Sequence, residues 1–230
     1  MTGPITPELL RALRRLDTPT ISNAIEYFEV RLRNEGFTDG SIRCQFPQLT
    51  TMVGHAVTAK IRCSGPPVDH RTVLERNDWW EIIRSVPGPK VFVVEDLDAN
   101  PGQGALLGEV HANILMALDC VGAVTNGAVR DLPAVAAMGF QFFAAHTVVS
   151  HSYAHLVEIG GPVKIGGLSI QPGDLLHGDA HGVVNIPIDI ASQIPSIAER
   201  LQDNERKLIG LCRVSDFSVE SLRQALQGSI

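Results

Sequence analysis

The stretch VFVVEDLDANPGQGALLGEVHANILMALDCVGAVTNGAVRDLPAVAAMGFQFFAA, residues 91–145, decides the fold. Three short runs rich in Val, Ala and Phe are separated by two longer segments whose apolar residues recur at helical spacing. Strands that alternate with short helices favour parallel pairing through right-handed crossovers. The sequence therefore predicts an α/β fold. Its predicted strands are Val91–Val94, Val121–Thr125 and Phe142–Ala145, and its predicted helices are Leu106–Leu118 and Leu132–Met138.

Helices are predicted at both ends of the chain. Thr6-Pro7 and Thr18-Pro19 each have the pattern of an N-cap followed by a proline in the first turn, which predicts two helices within about 6–30. Two further helices are expected within about 189–228, where charges are dense enough to indicate one exposed face.

The other elements are predicted from alternation and from turn residues. Val53–Cys63 alternates apolar with polar or small residues, as a half-buried strand does. A helix is expected over Val68–Ser85. Gly166-Gly167 lies between two short apolar runs and predicts a two-residue hairpin, and Gly182–Pro187 predicts another strand.

Length and composition indicate one globular domain, 1–230, with its α/β core at about 50–190. Hydrophobic residues make up 44% and charged residues 19%, so the chain is expected to fold without help. The net charge of −6 and the absence of a basic run argue against a nucleic-acid partner. No window reaches the ~18 apolar residues of a membrane span, so we expect a cytoplasmic protein with no membrane partner. The scattered cysteines predict free buried thiols.

The candidate site lies where two predicted parallel strands end. One strand is followed by the loop LDANPGQGALLGE and the other by NGAVRD. Ligands of open α/β sheets collect beyond the carboxyl ends of the strands, where these loops would share an edge. Glycines in the loops would let backbone amides and a helix amino terminus approach an anionic ligand closely. These glycines are Gly102, Gly104, Gly108 and Gly127.

Charged residues of the same loops suit chemistry on a small oxo acid. Arg130 is a planar, permanent cation that can hold a carboxylate or an enolate oxygen. Asp131 and Glu109 are hard oxygen donors of the kind that Mg²⁺ or Mn²⁺ prefers. Together they fit a metal-assisted reaction in which positive charge stabilises a developing enolate. A purely structural interpretation also stays open, in which Asp131 caps a helix, Arg130 pairs with Glu109 and the glycines serve turns.

Several motifs resemble those of a known family. GEVH at Gly108–His111 precedes GAVTNGAVRD at Gly122–Asp131, so an acidic residue, twenty further residues and an Arg-Asp pair follow in order. The similarity extends to GHAVTAKIRC, VFVVEDLD and PGDLLHGDAHGVVNIP. On these segments the chain resembles the family of the regulator of ribonuclease activity A (RraA) and the 4-hydroxy-4-methyl-2-oxoglutarate aldolases.

The resemblance implies a swivelling β/β/α-type sandwich with N-terminal and C-terminal helices, assembled as a homotrimer or homohexamer. It also implies a divalent-metal-dependent lyase, a class II pyruvate aldolase that uses Mg²⁺ or Mn²⁺. Such an enzyme cleaves a 4-hydroxy-2-oxo acid to pyruvate plus an oxo acid and can also decarboxylate oxaloacetate. Two alternatives stay open, a non-catalytic RraA-like protein-binding regulator and a silent oxo-acid-binding protein.

The resemblance also implies roles for individual residues. Arg130 would contact the pyruvyl oxygen of the substrate, and Asp131 would bind the cation directly. Glu109 would hold a metal-bound water. The catalytic base stays unassigned, with Glu109 through a water and His111 as the two options. The loop that would hold the substrate by its backbone amides comprises Gly108, Glu109, Val110 and His111.

A further acidic group is implied from the C-terminal helix of a neighbouring subunit. Glu205 is the candidate for this role, with Glu199 and Asp203 as rivals. One position departs from the family pattern: the aldolases often carry Asp or Glu three residues beyond the metal-binding aspartate, and this chain has Ala134 there.

Two histidine pairs, His151 with His155 and His177 with His181, have the i, i+4 spacing of zinc ligands on a helix. The second pair lies in a glycine-rich turn and the first in a segment of mixed character, so surface or hydrogen-bonded histidines are the favoured interpretation. Trp79-Trp80 is expected to place one ring in the core and to leave the other partly exposed.

Overall fold

The computed structural model describes residues 5–67 and 76–227, which contain ten strands and seven α-helices. The strands are β1 (Arg43–Cys44), β2 (Met52–Arg62), β3 (Lys90–Asp96), β4 (Cys120–Val129), β5 (Gln141–Thr147), β6 (His155–Ile159), β7 (Val163–Ile165), β8 (Leu168–Ile170), β9 (Leu175–Asp179) and β10 (Gly182–Ile186). The helices are α1 (Pro7–Arg14), α2 (Thr18–Glu26), α3 (Arg76–Ser85), α4 (Glu109–Ala117), α5 (Leu132–Ala137), α6 (Ile194–Cys212) and α7 (Val219–Gln227).

Eight strands form one mixed sheet in the order β1-β5-β4-β3-β2-β9-β10, with β6 also paired to β2. Its centre, from β2 to β5, is parallel, and a helix follows each of the first three of these strands, as the alternating pattern predicted. The remaining pairings in this sheet are antiparallel. Strands β7 and β8 form a separate hairpin, which confirms the turn at Gly166-Gly167; both glycines have positive φ, 51° and 79°.

The parallel strands are buried on both faces because their apolar side chains alternate between two cores. Phe92 of β3 joins Trp79 and Leu115 in the core beneath α3, α4 and α5. Val93, the next residue along the same strand, packs instead with Ile165 beneath the β7–β8 hairpin. The layers are therefore hairpin, sheet and helices, which confirms the predicted α/β sandwich. The prediction of a half-buried β2 was wrong, since this strand is buried along most of its length.

The terminal helices close one end of the sheet, where α1, α2 and α6 pack against β9 and β10. Thr6 is the N-cap of α1 as predicted, because its hydroxyl accepts a hydrogen bond from the amide of Leu9 at 3.2 Å. The predicted cap of α2 was wrong by one residue. Asp17 caps this helix and accepts from the amide of Thr20 at 2.7 Å, while Thr18 is the first helical residue.

Two boundaries near the candidate site differ from the prediction. Strand β4 continues through Asn126 to Val129 because the Asn126 side chain makes two hydrogen bonds to the backbone of Asp96 on β3, at 2.7 and 3.0 Å. Helix α4 starts at Glu109 rather than at Leu106, since Leu107 forms a parallel bridge with Val129.

Other expectations concern burial. Trp79 is buried and Trp80 half-buried, as predicted. The four cysteines are free as predicted, but only Cys63 and Cys120 are buried, while Cys44 is half-buried and Cys212 is exposed. Among the described residues no helix combines the length and apolar character needed to cross a membrane. Of the helix predicted at 68–85, residues 68–75 lie outside the described part of the chain.

Candidate active site

The site forms where β4 ends. Val129 is its last residue, and the next amide, that of Arg130, donates a hydrogen bond to the carbonyl of Leu107 at 3.0 Å. This bond continues the Leu107–Val129 bridge and places the start of α4 beside the Arg130-Asp131 pair. The two predicted loops therefore do meet at one edge of the sheet.

Asp131 connects the two loops through its carboxylate. Its backbone is left-handed, with φ 58° and ψ 34°, and its side chain does not cap α5, the helix that it precedes. Instead Oδ2 accepts a hydrogen bond from the amide of Glu109 at 3.0 Å, so it caps the first turn of α4. The Arg130 Nε atom lies 3.4 Å from the same oxygen. Arg130 thus pairs with Asp131, and not with Glu109 as the structural interpretation proposed.

Gly108 is required by the closeness of this contact. A Cβ atom at this position would lie 2.5 Å from Asp131 Oδ2 and 3.1 Å from Arg130 Nε. The φ of Gly108 is −153°, an extended value open to any residue, so space and not backbone conformation excludes a side chain.

A cleft of about 450 Å³ opens beside these residues. Of the predicted site residues, Gly108, Val110, His111, Arg130 and Asp131 line it. Glu109, whose amide is bonded to Asp131, is exposed at the first position of α4 and does not line the cleft. Glu205 is also absent from the lining and lies exposed on α6.

The sequence interpretation missed a second wall of the cleft. His151, Tyr153 and His155, which lie between β5 and the start of β6, line the cleft, as does Trp79 of α3. The Trp79 ring stacks on that of His111, with centroids 6.1 Å apart. The histidine spacing was noticed, but nothing in the sequence located the segment relative to Arg130. The segment is not helical, which removes the premise of a zinc pair at i, i+4.

The other histidine pair has structural roles. His177 is fully buried, with Nδ1 3.0 Å from the hydroxyl of Thr18 and Nε2 3.1 Å from the carbonyl of Leu13. Burial lowers the pKa of His177 below its ordinary value. His181 is exposed and contacts Asp179. No histidine belongs to a potential metal cluster of three or more ligands within the described residues.

Three buried groups near the cleft, Cys63, Asp96 and Asp98, lie within 4.8 Å of one another. Burial raises the pKa of Asp96. Burial alone would also raise the pKa of Asp98, but hydrogen bonds from the amides of Cys63 and Ser64 and from the Ser64 hydroxyl lower it. Asp98 accepts these amide bonds at 2.8 and 2.7 Å, so its carboxylate holds the loop that follows β2.

Three of the predicted site glycines serve internal packing and not ligand contact. A Cβ atom on Gly102 would meet His146, one on Gly104 would meet the 151–152 backbone and side chain, and one on Gly127 would meet Asp96. Of the four predicted glycines only Gly108 lines the cleft. No local sequence pattern distinguishes a glycine that faces a ligand from one that packs against its own protein.

The donor set at the cleft fits a hard divalent cation. Asp131 is about one third exposed, and its contacts with Arg130 and Glu109 are made by Oδ2. The exposed Glu109 carboxylate is one residue beyond Gly108 at the start of α4. Carboxylate oxygens are ligands that Mg²⁺ takes in small number while it keeps several waters.

Comparison with known proteins places the chain in a family. A model described as "RraA-like: Aldolase/RraA" matches residues 18–185, most of the chain. The chain belongs to the RraA-like family. The matched range contains the whole parallel sheet and every cleft residue named above, but ends before α6.

Relatives within this group carry aldolase names. The chain is 37% identical over 84 residues to "Putative 4-hydroxy-4-methyl-2-oxoglutarate aldolase" of Halalkalibacterium halodurans, a match over 36% of this chain and 40% of that protein. It is 27% identical over 158 residues to an uncharacterised protein of Methanocaldococcus jannaschii, covering 67% of this chain and 70% of that one. The chain therefore spans less than half the length of the first of these relatives.

Solved structures share the fold. An uncharacterised protein from Pseudomonas syringae superposes with a TM-score of 0.74 at 26% identity, over 99% of this chain and 97% of that one. RraAS2 of Streptomyces coelicolor, described as an unusual member of the RNase ES inhibitor RraA protein family, gives a TM-score of 0.67 at 23% identity. That match covers 87% of this chain and 95% of RraAS2, and at this identity it concerns the fold alone.

Proposed function

We propose that this protein is a divalent-metal-dependent lyase that cleaves a 4-hydroxy-2-oxo acid of the 4-hydroxy-4-methyl-2-oxoglutarate type to pyruvate plus an oxo acid. Oxaloacetate decarboxylation is a side activity, because it passes through the same pyruvate enolate. The observation that carries the proposal is the hydrogen bond from the Glu109 amide to Asp131 Oδ2. It places the Arg130 guanidinium, the Asp131 carboxylate and the start of α4 at one cleft.

Different groups of the cleft bind different parts of the pyruvyl group. The first turn of α4 presents amides without intrahelical acceptors, which suits the carboxylate of an oxo acid. Arg130, about one third exposed, holds the keto oxygen and stabilises negative charge as the C–C bond breaks. Its contact with Asp131 keeps the guanidinium beside the start of α4.

Asp131 would hold Mg²⁺ or Mn²⁺ directly, and Glu109 would hold one of the water ligands of the metal. The bound cation would supply positive charge that stabilises the enolate. Glu205 from a neighbouring subunit of a homotrimer or homohexamer would add a further carboxylate. Its exposed position on α6 is compatible with reaching another copy of the chain.

Pyruvate release tests the proposal. Purified protein should form pyruvate from 4-hydroxy-4-methyl-2-oxoglutarate and from oxaloacetate, lose both activities with a chelator and regain them with Mg²⁺ or Mn²⁺. Arg130→Ala and Asp131→Asn should each lower kcat by about 100-fold or more. Asparagine is chosen at 131 because it tolerates the left-handed backbone and can still accept the Glu109 bond.

Arg84→Ala is the matched control, because Arg84 is an exposed cation on α3 that pairs with Glu81 and does not line the cleft. It should leave turnover unchanged. Undiminished turnover in Arg130→Ala, or in the presence of the chelator, would contradict the proposal.

One observation favours a different function. Ala134 on α5 stands where the aldolases often carry an acidic residue, and a protein without that group could bind an oxo acid without turning it over, or act as a protein-binding regulator. No turnover combined with saturable pyruvate binding, measured by calorimetry, would identify a silent binder. No turnover and no pyruvate binding would favour the regulator.

A further inference from the structure

The second wall of the cleft is tied firmly to the body of the protein. The amide of Ala105 donates to the carbonyl of Ser150 at 3.1 Å. The Ser152 hydroxyl and the Tyr153 amide both donate to the carbonyl of Cys63, at 3.0 and 3.3 Å. This turn, residues 150–155, is therefore held at three points and forms a fixed surface of the cleft.

The anchor of the turn is itself fixed by a buried carboxylate. Asp98 accepts from the amide of Cys63, the residue whose carbonyl receives both bonds from the turn. Gly104 packs so closely against the turn that a Cβ atom there would lie 2.6 Å from the carbonyl oxygen of His151. Asp98, one of the three clustered groups Cys63, Asp96 and Asp98, thus supports this wall through the backbone of Cys63.

Hydrogen bonds select the tautomer of both histidines in the turn. His151 Nδ1 lies 2.8 Å from the carbonyl oxygen of Ser152, and His155 Nδ1 lies 2.7 Å from that of Tyr153. A carbonyl oxygen can only accept, so Nδ1 carries the hydrogen in each ring. In the neutral imidazole, Nε2 then bears a lone pair and can take a proton.

His155 is the better placed of the two histidines. It is the first residue of β6, it pairs with Arg62 of β2 and it is half-buried. Leu156, which follows it and also lines the cleft, is 5% exposed. His151 is exposed within the turn before the strand. A general base must be held in one orientation; for His155 the sheet fixes the backbone and the Nδ1 bond to the Tyr153 carbonyl fixes the ring.

We propose that His155 is the general base of the aldol cleavage, an assignment that rests on the proposed function. Nε2 takes the proton from the 4-hydroxyl group of the substrate, the C4–O bond becomes a carbonyl, and the electron pair of the C3–C4 bond passes to the pyruvate enolate. A water molecule then donates a proton to C3 of the enolate, and the imidazolium returns its proton to the hydroxide left behind. Atoms and charge balance with one imidazole and one water that is regenerated.

Decarboxylation of oxaloacetate distinguishes a general base from the cleft residues that hold the pyruvyl group. Its cleavage loses CO₂ from a carboxylate that is already ionised, so no hydroxyl proton has to be removed. A residue that serves only as the base is needed for aldol cleavage and not for C–C cleavage in oxaloacetate. Residues that hold the pyruvyl group, such as Arg130, are needed for both reactions.

The experiment compares the ratio of the two activities in matched variants. His155→Asn keeps an amide that can donate to the Tyr153 carbonyl and removes Nε2. We expect the ratio of aldol cleavage to decarboxylation to fall by about 100-fold or more in His155→Asn. In Arg130→Ala both activities should fall together, leaving the ratio within about threefold of the wild-type value.

Two other histidines serve as controls. His181→Asn, at an exposed position outside the cleft, should leave both activities unchanged. His151→Asn should lower the ratio much less than His155→Asn does. Added imidazole should restore aldol cleavage to His155→Ala, a rescue that a merely structural side chain would not show.

The outcomes are distinct. An unchanged ratio in His155→Asn, equal loss of both activities, or a larger fall of the ratio in His151→Asn would overturn the assignment of His155 while the proposed function stands. If the wild-type protein shows neither activity with Mg²⁺ or Mn²⁺, the proposed function fails and the assignment fails with it.

Discussion

A methyl group added at Gly108 should impair catalysis without preventing the protein from folding. Its backbone conformation is open to alanine, but a Cβ atom would meet Asp131 Oδ2 at 2.5 Å and displace the carboxylate from the start of α4. Small displacements of positioning groups are costly, so we expect Gly108→Ala to lower kcat/KM by about 100-fold. The measurement is pyruvate release, together with a thermal unfolding curve that stays cooperative.

Gly210→Ala provides the control for this substitution. Nothing lies within 4 Å of a Cβ atom at Gly210, which is inside helix α6, so alanine should raise the free energy of unfolding by about 0.5 to 1 kcal/mol. Activity should not change. Equal activity in Gly108→Ala and Gly210→Ala would show that the tight contact with Asp131 has no catalytic consequence.

At the scale of elements, His177 joins α1 and α2 to β9. Its ring contacts the carbonyl of Leu13, just before α1 ends, and the hydroxyl of Thr18, the first residue of α2. Since both contacts are buried, loss of the ring would remove two buried hydrogen bonds that join the helices to β9. His177→Leu should therefore lower the free energy of unfolding by about 1 to 3 kcal/mol, measured by urea denaturation at pH 8.

The same histidine predicts how stability depends on pH. Burial lowers the pKa of His177 in the folded state, so the unfolded chain binds a proton more readily. The stability that neutral His177 contributes is fully present above the unfolded pKa of about 6.5 and declines as pH falls below it. Unfolding free energies between pH 8 and pH 5 should fall less steeply in His177→Leu than in the wild type. Equal slopes would contradict this role.

The C-terminal end of β4 shows why the boundaries of some elements could not be predicted from the sequence. The pair Asn126-Gly127 has the composition of a turn, but the Asn126 side chain bonds the Asp96 backbone and Gly127 packs against the Asp96 side chain. A register shift between Thr125 and Ala128 accommodates both contacts within the strand. Contacts with β3 thus override the turn preference of Asn126-Gly127. As a result β4 continues to Val129, and Arg130 follows it directly at the cleft.

At the scale of the whole molecule, helix α6 begins in the core, and the C-terminal helices then extend beyond it. The buried residues of α6 are confined to its first turns, at Ile194, Ile197 and Ala198. Farther along, Ile209, Phe217 and Val219 are about half exposed, at 47%, 46% and 57%. This surface is compatible with contact to another copy of the chain, as the predicted homotrimer or homohexamer requires.

Subunit mixing tests whether sites are shared between copies. If Glu205 completes the cleft of a neighbour, Arg130→Ala and Glu205→Ala chains should each be nearly inactive alone. Co-refolded in equal amounts, they should recover about a quarter of the wild-type turnover. Random assembly places an intact Glu205 of one chain beside an intact Arg130 of its neighbour at about one site in four. Recovery with Glu199→Ala or Asp203→Ala in place of Glu205→Ala would assign the role to that rival, and recovery with none of the three would reject a shared site.

Sequence pattern was enough to predict the α/β alternation, the hairpin at Gly166-Gly167 and the grouping of Gly108, Arg130 and Asp131 at one edge of the sheet. These features depend on short-range patterns and on the rule that loops after parallel strands share an edge. The tertiary structure alone decided that the Asp131 carboxylate caps α4 and that the turn at His151–His155 forms the second wall of the cleft. Both depend on contacts between segments distant in the chain, which local pattern does not encode.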